Sequence, residues 1–302
     1  MIRHLVFAGG GPSLLQTLGA LQYTEENKFI ERENIETIYG TSAGGIVGAI
    51  YCLNYDWVTI HDYITIRPWH DVFPITIQNI LRSYLKRGLF DNTNIEKCLQ
   101  PLFEAKDISM NITMMEIYEY SKIELHLFTF ELNQFEIIDI SYKTHPELKL
   151  LTALQMTCSV PVLFTPVCIE DRCYIDGGLV SNYPLKFCID AGHKNEEILG
   201  FKNKCNKNPN KITSDSTLID YIFVFLFKMI RNMRIDDKQT EIINEIICFT
   251  EAYSITNIRD VLSSSDARKK LYENGIEYAK SAIGKIATSS VVSEKLFHEA
   301  NE

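Results

Sequence analysis

The chain has 302 residues, 46% of them hydrophobic and 23% charged, a balance that suits an ordinary folded core and argues against a disordered protein. Its formal net charge of −9 argues against a nucleic-acid binder, which needs a basic face, and leaves only a local basic patch for gripping anionic lipid. No apolar run approaches the roughly 20 residues that cross a bilayer. The scattered cysteines form no CxxC pair, so they read as reduced, mostly buried thiols and not as a zinc site.

In chain order, Ile2 to Ala8 predicts a short buried strand that ends at Gly9-Gly10-Gly11-Pro12. This apolar stretch is shorter than the core of a secretory signal, and no small-residue cleavage site follows it. From Ser13 the residues Leu14, Leu15, Leu18 and Leu21 recur at helical spacing. A second strand from Ile35 to Tyr39 breaks at Gly40 and is followed by a helix from about Ala43 to Leu53. Strand, helix, strand, helix in this order predicts a parallel α/β core. Residues 55–120, with Trp57, Tyr63, Trp69 and Phe73, show few strand signals and suit a cap inserted over the sheet, within which Leu89-Phe90-Asp91 opens a helix. Ile123 to Leu132 and Phe135 to Ile140 read as a strand pair turning at Asn133-Gln134. A helix from about Leu148 to Met156, strands near Leu163 to Cys168 and Cys173 to Ile175, a helix from Pro184 to Ala191 and a strand from Glu197 to Phe201 complete the core. Lys202 to Ser216, rich in Lys and Asn, reads as a linker or mobile loop, and the tail from Thr217 reads as helix. The expected division is therefore a catalytic unit at 1–201, a linker at 202–216 and a helical C-terminal region at 217–302.

Gly40-Thr41-Ser42-Ala43-Gly44 carries the sharpest chemical signal. A serine between two glycines on a strand-to-helix turn is held in a strained backbone with its hydroxyl projecting. Gly40 and Gly44 let strand and helix approach closely, and the helix N-terminus favours negative charge developing at the serine. Gly9-Gly10-Gly11 also follows a strand. Leu14 stands where a dinucleotide loop needs its third glycine, and no Gly-Lys-Ser/Thr follows, so both nucleotide-loop patterns fail. Consecutive glycines leave amides unshielded, which suits an oxyanion hole. Adjacent parallel strands would bring this run and Ser42 to one edge of the sheet. The third signal is Tyr174-Ile175-Asp176-Gly177-Gly178-Leu179, where Asp176 closes a strand and two glycines leave it uncovered. Taken alone, that segment reads as an Asp-Gly turn.

A glycine run after the first strand, a G-x-S-x-G elbow after the second and a later Asp-Gly-Gly, in this order, resemble the patatin-like phospholipases. Ser159-Val160-Pro161-Val162-Leu163-Phe164-Thr165-Pro166-Val167 and Asn182-Tyr183-Pro184 are similar to that family's stretch around its aspartate, and the resemblance covers about residues 4–200. It implies a patatin-like three-layer α/β/α core with a central, mostly parallel sheet, followed here by the helical C-terminal region. It implies a lipid acyl hydrolase of phospholipase A type that cleaves acyl esters of membrane lipids. The implied machinery is a Ser–Asp dyad: Asp176 takes the Ser42 proton without a histidine, Gly9, Gly10 and Gly11 bind the oxyanion, and Gly177 and Gly178 form the loop of the base. Neither metal nor cofactor is expected. The family pattern places Arg or Lys and then Gly two and three positions after the glycine run, and here Ser13 and Leu14 stand in those places.

Other readings stay open on the residues alone. A conventional triad would complete Ser42 and Asp176 with His193 or His298. The same serine in an acyltransferase would pass its acyl group to an acceptor other than water, and a lipid-binding or scaffolding protein on this fold would not use it. Leu218 to Ile230, apolar nearly all round with Lys228, Arg231 and Arg234 at its end, reads either as a buried helix or as a membrane-facing element. The expected partners are a lipid substrate and a membrane contacted peripherally, with no nucleic acid; a protein activator is left open. The expected location is the cytoplasm, with peripheral membrane association.

Overall fold

Strands β1 (His4–Phe7) and β2 (Thr37–Thr41) pair in parallel at the centre of an eight-stranded sheet in the computed structural model of the chain. It describes residues 1–205, 241–250 and 255–299, with short stretches between 212 and 229. Both strands are buried along their whole length, as parallel strands covered on both faces must be. The remaining strands of the sheet are β4 (Glu124–Glu131), β5 (Glu136–Ile140), β7 (Val167–Ile169), β8 (Arg172–Asp176), β9 (Ile198–Cys205) and β10 (Glu245–Thr250). Their order is β10-β9-β1-β2-β4-β8-β7, with β5 antiparallel on β4. The pairs from β10 to β4 are parallel, and the β4–β8–β7 end is antiparallel. The chain runs from β1 to β2 and β4 on one side and later to β9 and β10 on the other. β1 and β9 therefore bracket a switch point, and the crevice at the carboxyl ends of such strands is where open α/β sheets bind ligands.

Alternation along the strands divides the core into two layers. Leu5, Phe7, Ile38, Leu125 and Leu127 face the side covered by α1 (Leu14–Glu26), α2 (Ala43–Cys52) and α8 (Leu150–Cys158). Val6, Ala8, Tyr39 and Phe128 face the side covered by α9 (Leu185–Asp190). The result is the three-layer α/β/α arrangement with a mostly parallel sheet.

The insertion carries α3 (Trp57–Ile66), α4 (Trp69–Val72), α5 (Ile77–Lys86), α6 (Asn92–Glu104) and α7 (Met114–Ser121). Trp57, Ile60, Trp69, Leu99, Phe103 and Met114 bury into the same core as α1 and α2, so this region is largely a layer of the core and not a detached cap. Leu89-Phe90-Asp91 does not open a helix directly. Gly88–Phe90 is a short strand, β3, paired with β6 (Val162–Phe164). Asp91 then caps α6, accepting from the Thr93 amide, with Asn94 reaching back in a capping box.

Two features depart from expectation. Residues 202–205, expected in a linker, continue β9, and Glu245–Thr250, expected to be helical, is a strand that extends the sheet parallel to β9. A short apolar run is not told from a buried helix by periodicity alone, and here the exposed edge of β9 decides. Beyond it, α10 (Ile255–Ser263) and α11 (Ser265–Glu299) return over α1. A Cβ at Gly19 would lie 2.1 Å from the Tyr272 carbonyl oxygen, and one at Gly275 only 2.0 Å from that of Gln16. The two helices thus cross at backbone contact. Cys168 and Cys173, direct partners across the β7–β8 hairpin, are disulfide-bonded, against the expectation of reduced thiols; Cys52, Cys98, Cys158, Cys188 and Cys248 are free and buried. Of Leu218–Ile230 only 221–222, 224–226 and 228–229 are described, as helix with Tyr221, Phe225 and Met229 exposed and Val224 buried, and among the described residues no helix is long and apolar enough to cross a membrane.

Candidate active site

Ser42 follows β2 directly and precedes α2, with φ 54° and ψ −125°, a backbone that a non-glycine residue adopts only under constraint. Its neighbours impose that constraint. The Ser42 amide donates to Thr157 Oγ1 at 2.8 Å, and the Thr157 hydroxyl donates onward to the Phe128 carbonyl of β4. The Thr41 hydroxyl donates to the Ser181 carbonyl at 3.0 Å. A Cβ at Gly44 would come within 2.4 Å of the Phe7 carbonyl oxygen, and one at Gly40 within 2.7 Å of that of Gly44. Both glycines are therefore required by close packing of α2 on β1 and β2.

The parallel pairing of Phe7 with Gly40 brings the glycine run to the serine, as expected. A Cβ on Gly9 would lie 3.1 Å from Ser42 Cβ. The Gly9 amide, expected in the hole, donates to the Asn182 carbonyl at 2.8 Å. A donor already bonded within the fold is not offered to an oxyanion. The Gly10 and Gly11 amides make no backbone hydrogen bond among the described residues, and Gly11 has the left-handed φ of 48°. The run is anchored by its Gly9 carbonyl, which accepts from Asn182 Nδ2 at 2.9 Å and Asn203 Nδ2 at 3.0 Å. Asn203 Nδ2 also donates to Ser13 Oγ at 2.8 Å, so the residue standing in the basic position serves as a local anchor.

Asp176 ends β8 opposite Thr129 of β4, with its amide donating to the Ser159 carbonyl at 3.0 Å and its Oδ1 accepting from the Gly178 amide at 2.7 Å. Gly177 is needed where a Cβ would stand 2.4 Å from the Phe128 carbonyl oxygen. Asn182 links the two loops: its Oδ1 lies 2.8 Å from where a Cβ would stand on either Gly9 or Gly178. The buried Cys158 thiol is influenced electrostatically by both halves of the site. Burial pushes its pKa well up, the charge of Asp176 adds to this, and a hydrogen bond from the Ser42 hydroxyl works the other way. Ser42 and Asp176 are 8% and 3% exposed, so the chemistry is shielded from bulk water.

Ser42, Gly9, Gly40, Gly44, Asp176, Gly177 and Gly178 thus gather at the carboxyl ends of β1, β2 and β8. Thr157, Cys158, Asn182 and Asn203 were not singled out as site residues. Only Asn182 carried a signal, through its place in Asn182-Tyr183-Pro184. His193 is committed elsewhere. Its ring stacks on His4 with centroids 3.6 Å apart, and its Nε2 meets the Tyr39 hydroxyl at 3.1 Å, at the beginning of β1 and away from the glycine run. The side chain of His298 lies outside the described residues.

Two cavities lie on the α1 and α2 side of the sheet, and neither is lined by Ser42 or Asp176. A mixed one of about 410 Å³ is lined by Gly10, Ser13, Gln16, Asp260 and Lys270, among others. Gln16 is 2% exposed; its Nε2 donates to the Phe249 carbonyl at 3.0 Å, and its Oε1 has no hydrogen-bond partner. An apolar cavity of about 110 Å³ runs along α2, lined by Leu15, Ile46, Ile50, Trp69 and Phe73 among others.

The model of the patatin-like phospholipase family matches residues 5–189. The "Probable lipid hydrolase 463L" of Invertebrate iridescent virus 6 is 27% identical over 194 residues, which are 64% of this chain, and the chain spans just under two thirds (65%) of that relative's length. Protein R571 of Acanthamoeba polyphaga mimivirus is 25% identical over 292 residues, covering 94% of this chain and 95% of its own. Among solved structures, VipD from Legionella pneumophila superposes with a TM-score of 0.55 at 16% identity, covering 94% of this chain and 67% of VipD, a likeness of fold.

Proposed function

The chain belongs to the patatin-like phospholipase family, and from that premise we propose that it hydrolyses acyl esters of membrane lipids with Ser42 as nucleophile and Asp176 as general base. The observation that carries this reading is the strained backbone of Ser42, held by Thr157 and set close to Gly9, with Asn182 lying against both Gly9 and the Gly178 of the Asp176 loop. Strain of this kind is retained where it projects a reactive group.

The reaction runs in two steps. Asp176 accepts the Ser42 hydroxyl proton as Oγ attacks the ester carbonyl carbon, and the oxyanion forms against the Gly10 and Gly11 amides. Collapse breaks the bond to the alcohol, which leaves with the proton from Asp176. Water then attacks the acyl-serine, gives its proton to Asp176 and releases the fatty acid, and the proton returns to Ser42. An aspartate with an ordinary pKa near 4 is a weak base, so the hole has to supply much of the stabilisation. The apolar cavity along α2 suits the acyl chain. The mixed cavity suits the polar part of the lipid, with Lys270 supplying a cation beside Ser13, where the family pattern has its own. All the proposed reacting groups come from 1–201, and β10 with the helices after it walls the mixed cavity. The protein meets its substrate at a membrane surface.

Fatty acid release from mixed phospholipid vesicles, with wild type beside Ser42→Ala and Asp176→Asn, tests the reading. Release by wild type, a loss of at least about a thousandfold in each variant and fluorophosphonate labelling that disappears with Ser42 are expected. Full activity in either variant would exclude the dyad, and neither release nor labelling in wild type would mark a non-catalytic lipid binder.

A further inference from the structure

Helix α5 leaves a cluster of apolar side chains uncovered. Its N-terminus is closed by Thr76, whose hydroxyl accepts from the Asn79 amide at 3.2 Å, and its C-terminus by Arg87 in the left-handed conformation at φ 62°. Between these caps Leu81, Tyr84 and Leu85 are 71%, 88% and 82% exposed. Spacings of three and four residues put them on one helical face. Scattered exposed apolar residues need no explanation, whereas three large ones clustered on one face of an amphipathic helix do.

The charge along this segment has one sign. Between Asp71 and Asp91 the chain carries Arg82, Lys86 and Arg87 and no acidic residue, in a protein whose net charge is −9. Lys86 pairs with Asp91 at 2.8 Å, while Arg82 is exposed and has no carboxylate partner among the described residues. Apolar side chains ringed by cations match the boundary of an anionic bilayer, where the apolar groups enter the acyl region and the cations meet phosphates. They match an acidic aqueous surface poorly, because it would leave the three apolar groups wet.

The position of α5 ties this face to the reaction. The helix leads directly into β3, which pairs with β6, and the Thr165 amide donates to the Phe90 carbonyl at 2.8 Å. The Ser159 hydroxyl donates to the Thr165 carbonyl at 3.0 Å, and the Ser159 carbonyl accepts from the Asp176 amide at 3.0 Å. An unbroken series of hydrogen bonds therefore connects the root of α5 to the proposed base. We propose that α5 is the element by which this protein lies on an anionic lipid surface, with Leu81, Tyr84 and Leu85 inserted and Arg82 and Arg87 at the phosphates. The docking chemistry stands without the hydrolase; its purpose, delivery of substrate to Ser42, rests on the reading above.

Cosedimentation with sucrose-loaded vesicles tests the proposal, using phosphatidylcholine alone and phosphatidylcholine mixed with phosphatidylglycerol. Wild type and Ser42→Ala should bind the anionic vesicles alike and the neutral ones more weakly. The double variant Leu81→Ser/Leu85→Ser, and separately Arg82→Glu, should each lower partitioning onto anionic vesicles at least about tenfold. Both should keep wild-type hydrolysis of a soluble short-chain ester, since these side chains point to solvent and a folded site is read directly. Anionic-vesicle binding unchanged by both variants would overturn the proposal, as would a wild-type dimer that the double variant turns into a monomer, which would assign the face to a second copy. Vesicle binding that depends on α5 without any ester hydrolysis would leave the docking surface standing and remove the hydrolase.

Discussion

Ser42 has no freedom to relax, because its amide is held by Thr157, its β-carbon meets Gly9, and its helix cannot withdraw from β1 across Gly44. The positions that matter to it are therefore measured in tenths of an ångström. Adding one methyl at Gly9 would place a carbon 2.8 Å from Asn182 Oδ1, 3.0 Å from the Thr41 carbonyl oxygen and 3.1 Å from Ser42 Cβ. Gly9→Ala is accordingly expected to lower kcat/KM at least about tenfold by displacing the nucleophile, with about 1 kcal/mol of destabilisation from overpacking. Steady-state kinetics beside a urea titration would read both, and unchanged kinetics would show that the glycine run tolerates movement at the serine. The division of labour among the three glycines was not visible beforehand. Gly9 gives its amide to Asn182, far away in sequence, and a local motif cannot announce a hydrogen bond made only after the chain has folded.

At the scale of elements, Arg268 fastens the C-terminal helices to the insertion. Arg268 of α11 is 3% exposed and donates to the carbonyls of Thr65, Val261, Leu262 and Arg67 at 2.8–3.0 Å. Four carbonyls at the ends of α3 and α10 depend on this guanidinium. Arg268→Ala should cost on the order of 3 kcal/mol, since it removes charged hydrogen bonds and strands buried acceptors. A shift of the urea midpoint with an unchanged slope is the expected signature, and no shift would mean that water replaces the guanidinium. Helices with regular apolar spacing, such as α1 and α2, were legible in the sequence, as were strands bounded by glycine. β3 and β10 were not: short strands owe their state to a partner edge, β6 in one case and β9 in the other, which no local pattern contains.

The whole molecule carries a pH dependence that neither the site nor any one helix explains. His126 of β4 bridges Asp139 at 2.9 Å and Glu124 at 3.2 Å. Burial opposes its charge, but hydrogen bonds and attraction from Asp139 and Glu124 prevail and raise its pKa from 6.5 to about 9. Stability from this group is fully present below pH 6.5 and is lost as the pH rises through 9, an effect on the order of 3 kcal/mol. His4 behaves oppositely: burial, and then the neighbouring His193, lower its pKa to about 4. Its contribution is present above 6.5 and is lost as the pH falls through 4. The unfolding midpoint should therefore be highest near pH 6.5 and fall on both sides, and His126→Gln should flatten the alkaline limb. A midpoint in that variant that still falls from neutral to alkaline pH as steeply as in wild type would remove His126 as the cause.

Periodicity and glycine placement by themselves determined the α/β class, the order of most elements and the candidate nucleophile. Each of these is encoded by contacts within one turn or one strand, and so is written locally. The hydrogen bond of the Gly9 amide to Asn182, the anchoring by Thr157, Asn182 and Asn203, and the exposure of α5 were decided only by the tertiary structure. The physical reason is that hydrogen-bond partners and buried faces are assigned when strands far apart in the chain lie side by side. Ser42 and Thr157 are 115 residues apart and 2.8 Å from bond to bond partner, and only the sheet between them relates the two.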